Sequence, residues 1–387
     1  MTANRKRPPQ QSRPQPRRQA QPIQVPANIP LNQPQLADIH NPVREAVGVR
    51  LEALEAAAGY PVVAYFLDEG AALADEQMYH LFEHLRRLDH QDRLGLWISS
   101  RGGATEVPVK LVSLMREYTD WFAVLVPYRA HSAATQVALG ADEIVMTPMS
   151  ELGPVDPSRR HPLLPKEGTG PGGPVPIPIS VQDLRHVLQF VEREVGGREK
   201  LTPEAAATVY TALFEKVHPL AIGALEQSWG LAQQVCERVL STHVDPEKEA
   251  DQIKEIVDRL SDHYKSHLYQ IDRREAKEIG LKVRDATDQE ADAMWSLLIA
   301  FMGIQLGGEG EVNGEPAVAT RLGHIASAVG SSVGIGLAKK SEPETVAVSR
   351  WESKWWADEG AAPAAPAPAP AVPPPVAPEG PPPTQTA

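Results

Sequence analysis

Two short stretches of this chain hold the residue types best suited to chemistry: Ser100-Arg101-Gly102-Gly103, and Pro127-Tyr128-Arg129-Ala130-His131-Ser132-Ala133-Ala134. Each follows an apolar run of strand formers and opens a stretch with helical spacing. Glycines at such a turn let the backbone approach a ligand and aim N–H groups outward, so Gly102 and Gly103 are candidate donors to an oxyanion. Ser132 brings a hydroxyl to the start of a helix. Acyl transfer needs a nucleophile and oxyanion donors beside one carbonyl carbon. Each turn also has a plainer use: Gly-Gly makes a tight βα turn, and Ser is a common N-cap. The pair is more telling, because both stand at the carboxyl ends of neighbouring predicted strands, where open α/β sheets place ligands.

The elements that would position them read as a βα alternation. Apolar runs at Pro61–Asp68, Leu94–Ser99, Trp121–Pro127 and Glu143–Pro148 are predicted strands. Helices are predicted at Pro42–Gly59, Asp75–Leu88, Glu106–Tyr118 and Ser132–Gly140, which makes parallel βα units. Residues 153–178 then hold eight prolines and five glycines, so a long loop is expected there. The second half reads as mainly helical, at Val181–Val195, Pro203–Phe214, Pro219–Val239, Pro246–His263, Arg273–Ile279 and Asp288–Leu306. A last strand is expected at 281–283, and 317–338 is weakly apolar and rich in Gly and Ser.

Composition limits the classes further. The lone cysteine, Cys236, excludes an internal disulfide framework and any zinc site built on several thiolates, and fits a reducing compartment. The net charge of -12 hides a division: residues 1–37 carry six Lys/Arg and no acid, leaving 32 basic against 50 acidic residues in the rest. An acidic body is a poor nucleic-acid surface. No apolar run is long enough to span a membrane, and nothing behind the N-terminal charges reads as a secretory signal. Three regions are expected: a disordered basic Pro/Gln/Arg-rich arm at 1–37, a folded body at 38–340, and a linker with an Ala/Pro-rich tail at 341–387. Trp351, Trp355 and Trp356 stand just before that tail, where they would dock on a partner, on a membrane interface, or on the body itself.

The stretches LWISSRGGATEVPVKLVSLMREY and VLVPYRAHSAATQVALGADEIVMTPMSELGPVDP resemble the ClpP/crotonase superfamily, and within it the serine dehydrogenase proteinase family, related to signal peptide peptidase A. HPLAIGA at 218–224, SHLYQIDRREAKEIGLKV at 266–283 and the DAMWSLL helix extend the likeness over roughly residues 40–300. The resemblance implies an α/β fold, a ClpP/crotonase-like spiral of ββα units with a mainly helical C-terminal part. It implies Ser132 as nucleophile, an oxyanion hole from the backbone of Gly103 and Ala133, and closed homo-oligomers acting on peptide or protein substrates without a cofactor. The sequence departs from the family at Ser100-Arg101, where Thr-Pro is usual, and at Ala134, where Gly is common. Neither change removes a backbone donor.

The base that activates the serine is less clear from sequence. ClpP-like peptidases use a His about 25 residues downstream; Pro157 stands there, with His161 nearby. Relatives of signal peptide peptidase A use a Lys, and Lys166, Lys200, Lys216 and Lys265 are all open by their order along the sequence. His267 and His218 fall where the resembled family also tends to have His, and imidazole has the right intrinsic pKa. His267 is preferred, then His218, with Asp156 as an orienting group. His131, beside the serine, is expected to point away. The expectation is a cytoplasmic serine-type peptidase. The alternatives left open are an inactive scaffold, and an acyl-CoA enzyme served by paired N–H groups with Glu143 or Glu151 at hand.

Overall fold

The computed structural model describes residues 44–168, 174–194, 202–304, 309–312, 315–339 and 346–356. The expected basic arm and most of the Ala/Pro tail lie outside those residues.

The strands alternate their side chains between two cores. In β1 (Val62–Leu67), every residue is buried. Val63, Tyr65 and Leu67 enter one apolar cluster, while Val62, Ala64 and Phe66 enter another. The same division runs through β2 (Gln91–Ser99), β3 (Thr119–Val126) and β5 (Glu143–Met146). A strand covered on both faces reads as a continuous apolar run, which is how parallel sheets look in sequence. β12 (Val283–Asp285), β5, β3, β2 and β1 pair in that order, all parallel.

One face is covered by α1 (a π turn at Arg44–Gly48), α2 (Val49–Ala58) and α11 (Asp288–Gly303), through Val47, Leu51, Leu54, Leu297 and Phe301. The other is covered by α3 (Glu76–Leu88), α4 (Val107–Glu117), α5 (Ala133–Leu139), α8 (Pro219–Leu240) and α9 (Ala250–Asp258). Helices α6 (Val181–Glu194), α7 (Pro203–Lys216) and α10 (Arg273–Glu278) complete the helical part.

A second, much smaller sheet repeats beside the first. After β1 the backbone bridges at Leu73 to Gly103, and after β2 it bridges at Ser100 to Ala130, both parallel. After β3 comes β4 (Arg129–Ala130), and after β5 comes β6 (Glu151–Leu152), parallel to β4. Three times over, a long strand, a short strand or bridge, and a helix follow one another, as β1 to α3, β2 to α4 and β3 to α5. This is the ββα spiral in an α/β fold that the resemblance implied.

Two sequence expectations change. The C-terminal part is not only helical: β14 (Glu315–Ser327) lies antiparallel on β1, followed by β15 (Gly330–Lys339) and β16 (Val346–Trp355), with β13 (Glu309–Val312) against β14. The sheet therefore runs on past residue 340, where a linker was expected. Trp355 packs edge-on against the buried His84 of α3, with Arg87 over its ring; Trp351 faces His80, and Arg44 lies over Trp356. The three tryptophans are thus used on the body. The described residues of 153–178 are mostly irregular, with two-residue strands β7 (Ser158–Arg159), β8 (Lys166–Glu167) and β9 (Val175–Pro176), and β10 (Ile179–Ser180) follows directly.

Candidate active site

Ser132 sits at the N-cap position of α5 with φ 50° and ψ -117°, and its side chain makes no capping hydrogen bond. A positive φ costs a β-carbon-bearing residue on the order of 1–3 kcal/mol. A plain N-cap has extended backbone and caps with its oxygen, so the capping use that the sequence left open is not the one adopted. A sharp, strained strand-to-helix turn is a known means of presenting a nucleophilic hydroxyl.

The strain is held by neighbours. His131 N–H donates to Ser100 O (3.1 Å), Ala134 N–H to His131 O (2.9 Å), and Gln136 N–H to Ser132 O (3.1 Å). The buried Thr135 hydroxyl lies 2.7 Å from Ala130 O and 2.9 Å from Gly153 O and accepts from Gly153 N–H at 3.1 Å. This ties α5 to the strand before it and to the loop after β6.

The two glycines of the first turn play different parts. Gly102 has φ +99°, and a Cβ there would lie 2.6 Å from His131 O and 2.9 Å from Ser132 Cβ. The two turns that the sequence placed at neighbouring strand ends are therefore in contact, and only glycine fits between them. Gly102 N–H donates to Ser100 Oγ (3.0 Å), which withdraws it from the expected oxyanion set. Gly103 is different. Leu73 N–H donates to Gly102 O (2.8 Å) and Ala104 N–H to Leu73 O (2.9 Å), so the Gly103 peptide N–H faces away from Leu73. Among the described residues, no group accepts from the N–H of Gly103 or of Ala133. These two amides flank the Ser132 turn.

The small sheet also gathers the acid and the imidazole. β11 (Ile271–Asp272) lies antiparallel to β6, with Ile271 opposite Leu152, and Leu152 is opposite Ala130 on the other side. The direction of each strand then puts three sites at one end of the sheet: Ser132, two residues beyond β4; Asp156, four beyond β6; and His267, four before β11. β4 and β11 are separated by β6 alone, hence by about 10 Å. His267 Nδ1 meets Asp156 Oδ1 at 2.7 Å, and the Asp156 carboxylate is only 10 % exposed. That hydrogen bond, outweighing burial, raises the His267 pKa above the ordinary imidazole value. Nδ1 being taken, Nε2 is the nitrogen left to move a proton.

The other candidates fall elsewhere. His218 is exposed and caps α8, its Nδ1 accepting from Leu220 N–H at 3.1 Å. It stands fourteen residues, about 21 Å of helix, from Ala232, where α8 touches Gln136 of α5. That placement does not bring it to the His267–Asp156 pair. His161 accepts from Leu163 N–H at 3.2 Å in its own turn. Lys166, Lys216 and Lys265 are exposed, and Lys200 lies outside the described residues. Glu143 is held by Arg284 at 3.0 Å.

His131 packs its ring where a Cβ on Gly153 would meet it at 3.0 Å, and so points away from the Gly103 side. Its Nε2 lies 3.0 Å from Glu151 Oε1, yet that buried nitrogen makes no hydrogen bond. The short distance is a poorly aligned contact rather than an ion pair, because burial first, then Arg129, His267 and Arg101, lower its pKa to about 4 and keep it neutral.

Beside this end of the small sheet lies an open cleft of about 700 Å3, bordered by Gly103–Glu106, Pro157–Arg159 and Gln227, Ser228, Leu231 and Gln234 of α8. Among the described residues no group of three or more His, Cys, Asp or Glu could hold a metal, and no helix is long and apolar enough to cross a membrane.

No family profile matches this sequence, and no curated protein sequence matches it. Solved structures do. A mutant of the 1510-N membrane-bound stomatin-specific protease is 12 % identical, the likeness spanning 66 % of this protein and 88 % of that one at a TM-score of 0.33. A second mutant, in complex with a substrate peptide, is 14 % identical over 66 % and 85 % of the two proteins at 0.31. The ClpP protease catalytic domain from Plasmodium falciparum is 11 % identical over 62 % and 91 % at 0.32.

Proposed function

We propose that this protein is a serine hydrolase of the ClpP/crotonase superfamily, acting on peptide bonds through an acyl-enzyme on Ser132. The observation that carries the reading is the strained, uncapped Ser132 turn flanked by two unengaged amides, with a His–Asp pair at the same end of the small sheet. In this scheme Nε2 of His267 takes the Oγ proton as Oγ bonds to the scissile carbonyl carbon. The Gly103 and Ala133 N–H groups hold the oxyanion. The proton passes to the leaving amine as the C–N bond breaks, and water, deprotonated by the same imidazole, then cleaves the ester. Asp156 fixes the tautomer and supports the imidazolium. The protein's own side chains and amides perform each step of this scheme. It includes homo-oligomerisation, which would enclose the site.

A fluorophosphonate probe tests it. Wild type should be labelled and Ser132→Ala should not. Equal labelling of the two would remove Ser132 from its role. His267→Ala should abolish labelling as well, and full labelling of that variant would direct attention to a lysine.

A further inference from the structure

Charge at the rim of the site is arranged in a way the hydrolytic scheme does not use. Arg101 directly precedes the Gly102–Gly103 turn, and Arg129 lies three residues before Ser132. Both reach one carboxylate, Glu69, from the turn that follows β1. Arg101 Nη2 is 2.5 Å from Glu69 Oε2, and Arg129 pairs with Oε1 of the same side chain. That turn is anchored by Asp68 N–H to Leu322 O (3.0 Å) and by Leu73 N–H to Gly102 O.

The three members differ in exposure. The Arg129 side chain is 14 % exposed, with its guanidinium over the Tyr128 ring. Arg101 is 49 % exposed and Glu69 is 65 % exposed. Burial of Arg129 lowers its pKa, with Glu151 acting the other way. Arg101 and Arg129 both act on His131 and Glu151, so their field reaches the residues around Ser132.

A purely structural pair this open to water would contribute little, on the order of 0–1 kcal/mol. Glu69 and, through space, the buried Glu151 are the carboxylates in the field of these two guanidinium groups, and the exposed Arg101–Glu69 contact is the one that a carboxylate from solvent can reach. Among the described residues, Arg101 uses one of its five N–H donors. A carboxylate arriving from solvent could therefore pair with Arg101 beside Glu69, or displace Glu69 at small cost. The cleft itself carries one base, Arg159, bound to Ser228 Oγ at 3.1 Å, and one acid, Glu106. Arg101 and Arg129 stand out in a sequence with 50 acidic against 38 basic residues, and exposed guanidinium groups recruit anions.

We propose that Arg101, held with Arg129 around Glu69, selects peptides that carry a carboxylate close to the scissile bond. It rests on the peptide-hydrolase reading, but can fail without it. The carboxylate has two sources, an Asp or Glu side chain or the free α-carboxylate that ends a peptide, and the guanidinium chemistry is the same for both.

The test is binding to full-length Ser132→Ala, which needs no turnover. Three fluorescein-labelled decapeptides of one sequence are compared by anisotropy: a neutral Gln peptide with a C-terminal amide, its Glu-substituted amide, and the Gln peptide as free acid. At least one carboxylate peptide should bind about tenfold tighter than the neutral one, a difference of about 1.4 kcal/mol. The arm that gains identifies the source. Adding Arg101→Gln should collapse the gap, Arg101→Lys should keep part of it, and salt at about 0.5 M should narrow it. Equal affinities, no binding, or a gap untouched by Arg101→Gln would overturn the proposal. Charge-selective binding without fluorophosphonate labelling of wild type would instead leave this inference standing and remove the hydrolase.

Discussion

Gly103→Ala puts the closest contact in the site under test. A Cβ at this position would lie 2.3 Å from both the N and the O of Leu73. Those are backbone atoms of a fully buried residue, so no side chain can swing aside. Ordinary contact begins near 3.4 Å, and the strand carrying Gly103 must retreat by about 1 Å. Two hydrogen bonds hold it there, Leu73 N–H to Gly102 O and Ala104 N–H to Leu73 O. Overpacking of this kind costs about 1–3 kcal/mol, and each weakened hydrogen bond about 1 kcal/mol. The melting temperature should fall by several degrees, at about 2–4 °C per kcal/mol for a body of this size. The catalytic loss should be larger. The same shift moves the Gly103 N–H off the oxyanion, and loss of one such donor costs about 10^2–10^3 in kcat. KM should change little, since the donor acts on the transition state. The assay is kcat and KM on a fluorogenic peptide beside a thermal melt of the same preparation. Gly223→Ala is the control: it sits within α8 with nothing within 4 Å of its added Cβ, and should melt slightly higher and turn over normally. A folded Gly103→Ala with kcat within about threefold of wild type would refute the oxyanion assignment and the reasoning behind it.

Asp156→Asn should keep the fold and reduce kcat by about 10^3-fold or more through loss of tautomer control. Because the Asp156 hydrogen bond raises the His267 pKa, the acid limb of kcat/KM should lie above the ordinary imidazole value in wild type and move to lower pH in the variant. Buried His84, hydrogen-bonded to Ser327 Oγ at 2.7 Å and Ser332 Oγ at 3.1 Å, has its pKa lowered by burial to about 3. The unfolded state then binds the extra proton below the ordinary histidine pKa. Urea denaturation should show about 2 kcal/mol of stability lost between pH 7 and pH 5 from this group, and His84→Gln should flatten that part of the profile. Thr135→Val removes the hydroxyl shared by Ala130 O, Gly153 O and Gly153 N–H, while that N–H keeps Ala130 O at 3.3 Å, so the loss in denaturation should be about 1 kcal/mol.

What could be read from sequence, and what could not, divides along physical lines. The βα alternation was legible because β1, β2, β3 and β5 are covered on both faces and so carry uninterrupted apolar runs. The Gly-Gly and Ser turns were legible for a related reason, since each ends such a run. The segment 317–338 was not, because its glycines look like loop. In the fold they are what let the antiparallel strands lie close: a Cβ on Gly323 would meet Phe66 O at 2.4 Å, and one on Gly334 would meet the Trp351 ring at 2.7 Å. The composition that argued against strands there is a condition of that pairing.

The site was legible to a different depth. Ser132 could be placed at a helix start, but whether it caps or projects is a matter of one φ angle, which composition does not encode. The division of labour between Gly102 and Gly103 depends on Ser100 Oγ and Leu73, the second of them thirty residues upstream of Gly103. His267 meets Asp156 across 111 residues, through pairing of two-residue strands too short to leave any periodic signal. The preference for His267 over His218 rests on the family resemblance, not on any periodic or compositional signal around either residue. Burial separates them: Asp156 is among the few buried carboxylates of the body, and a buried carboxylate is held by a partner or metal. Its partner is His267; Glu151, buried with His131 close by but not hydrogen-bonded to it, has its pKa raised by burial, and the charges of Arg129 and Arg101 act against that rise.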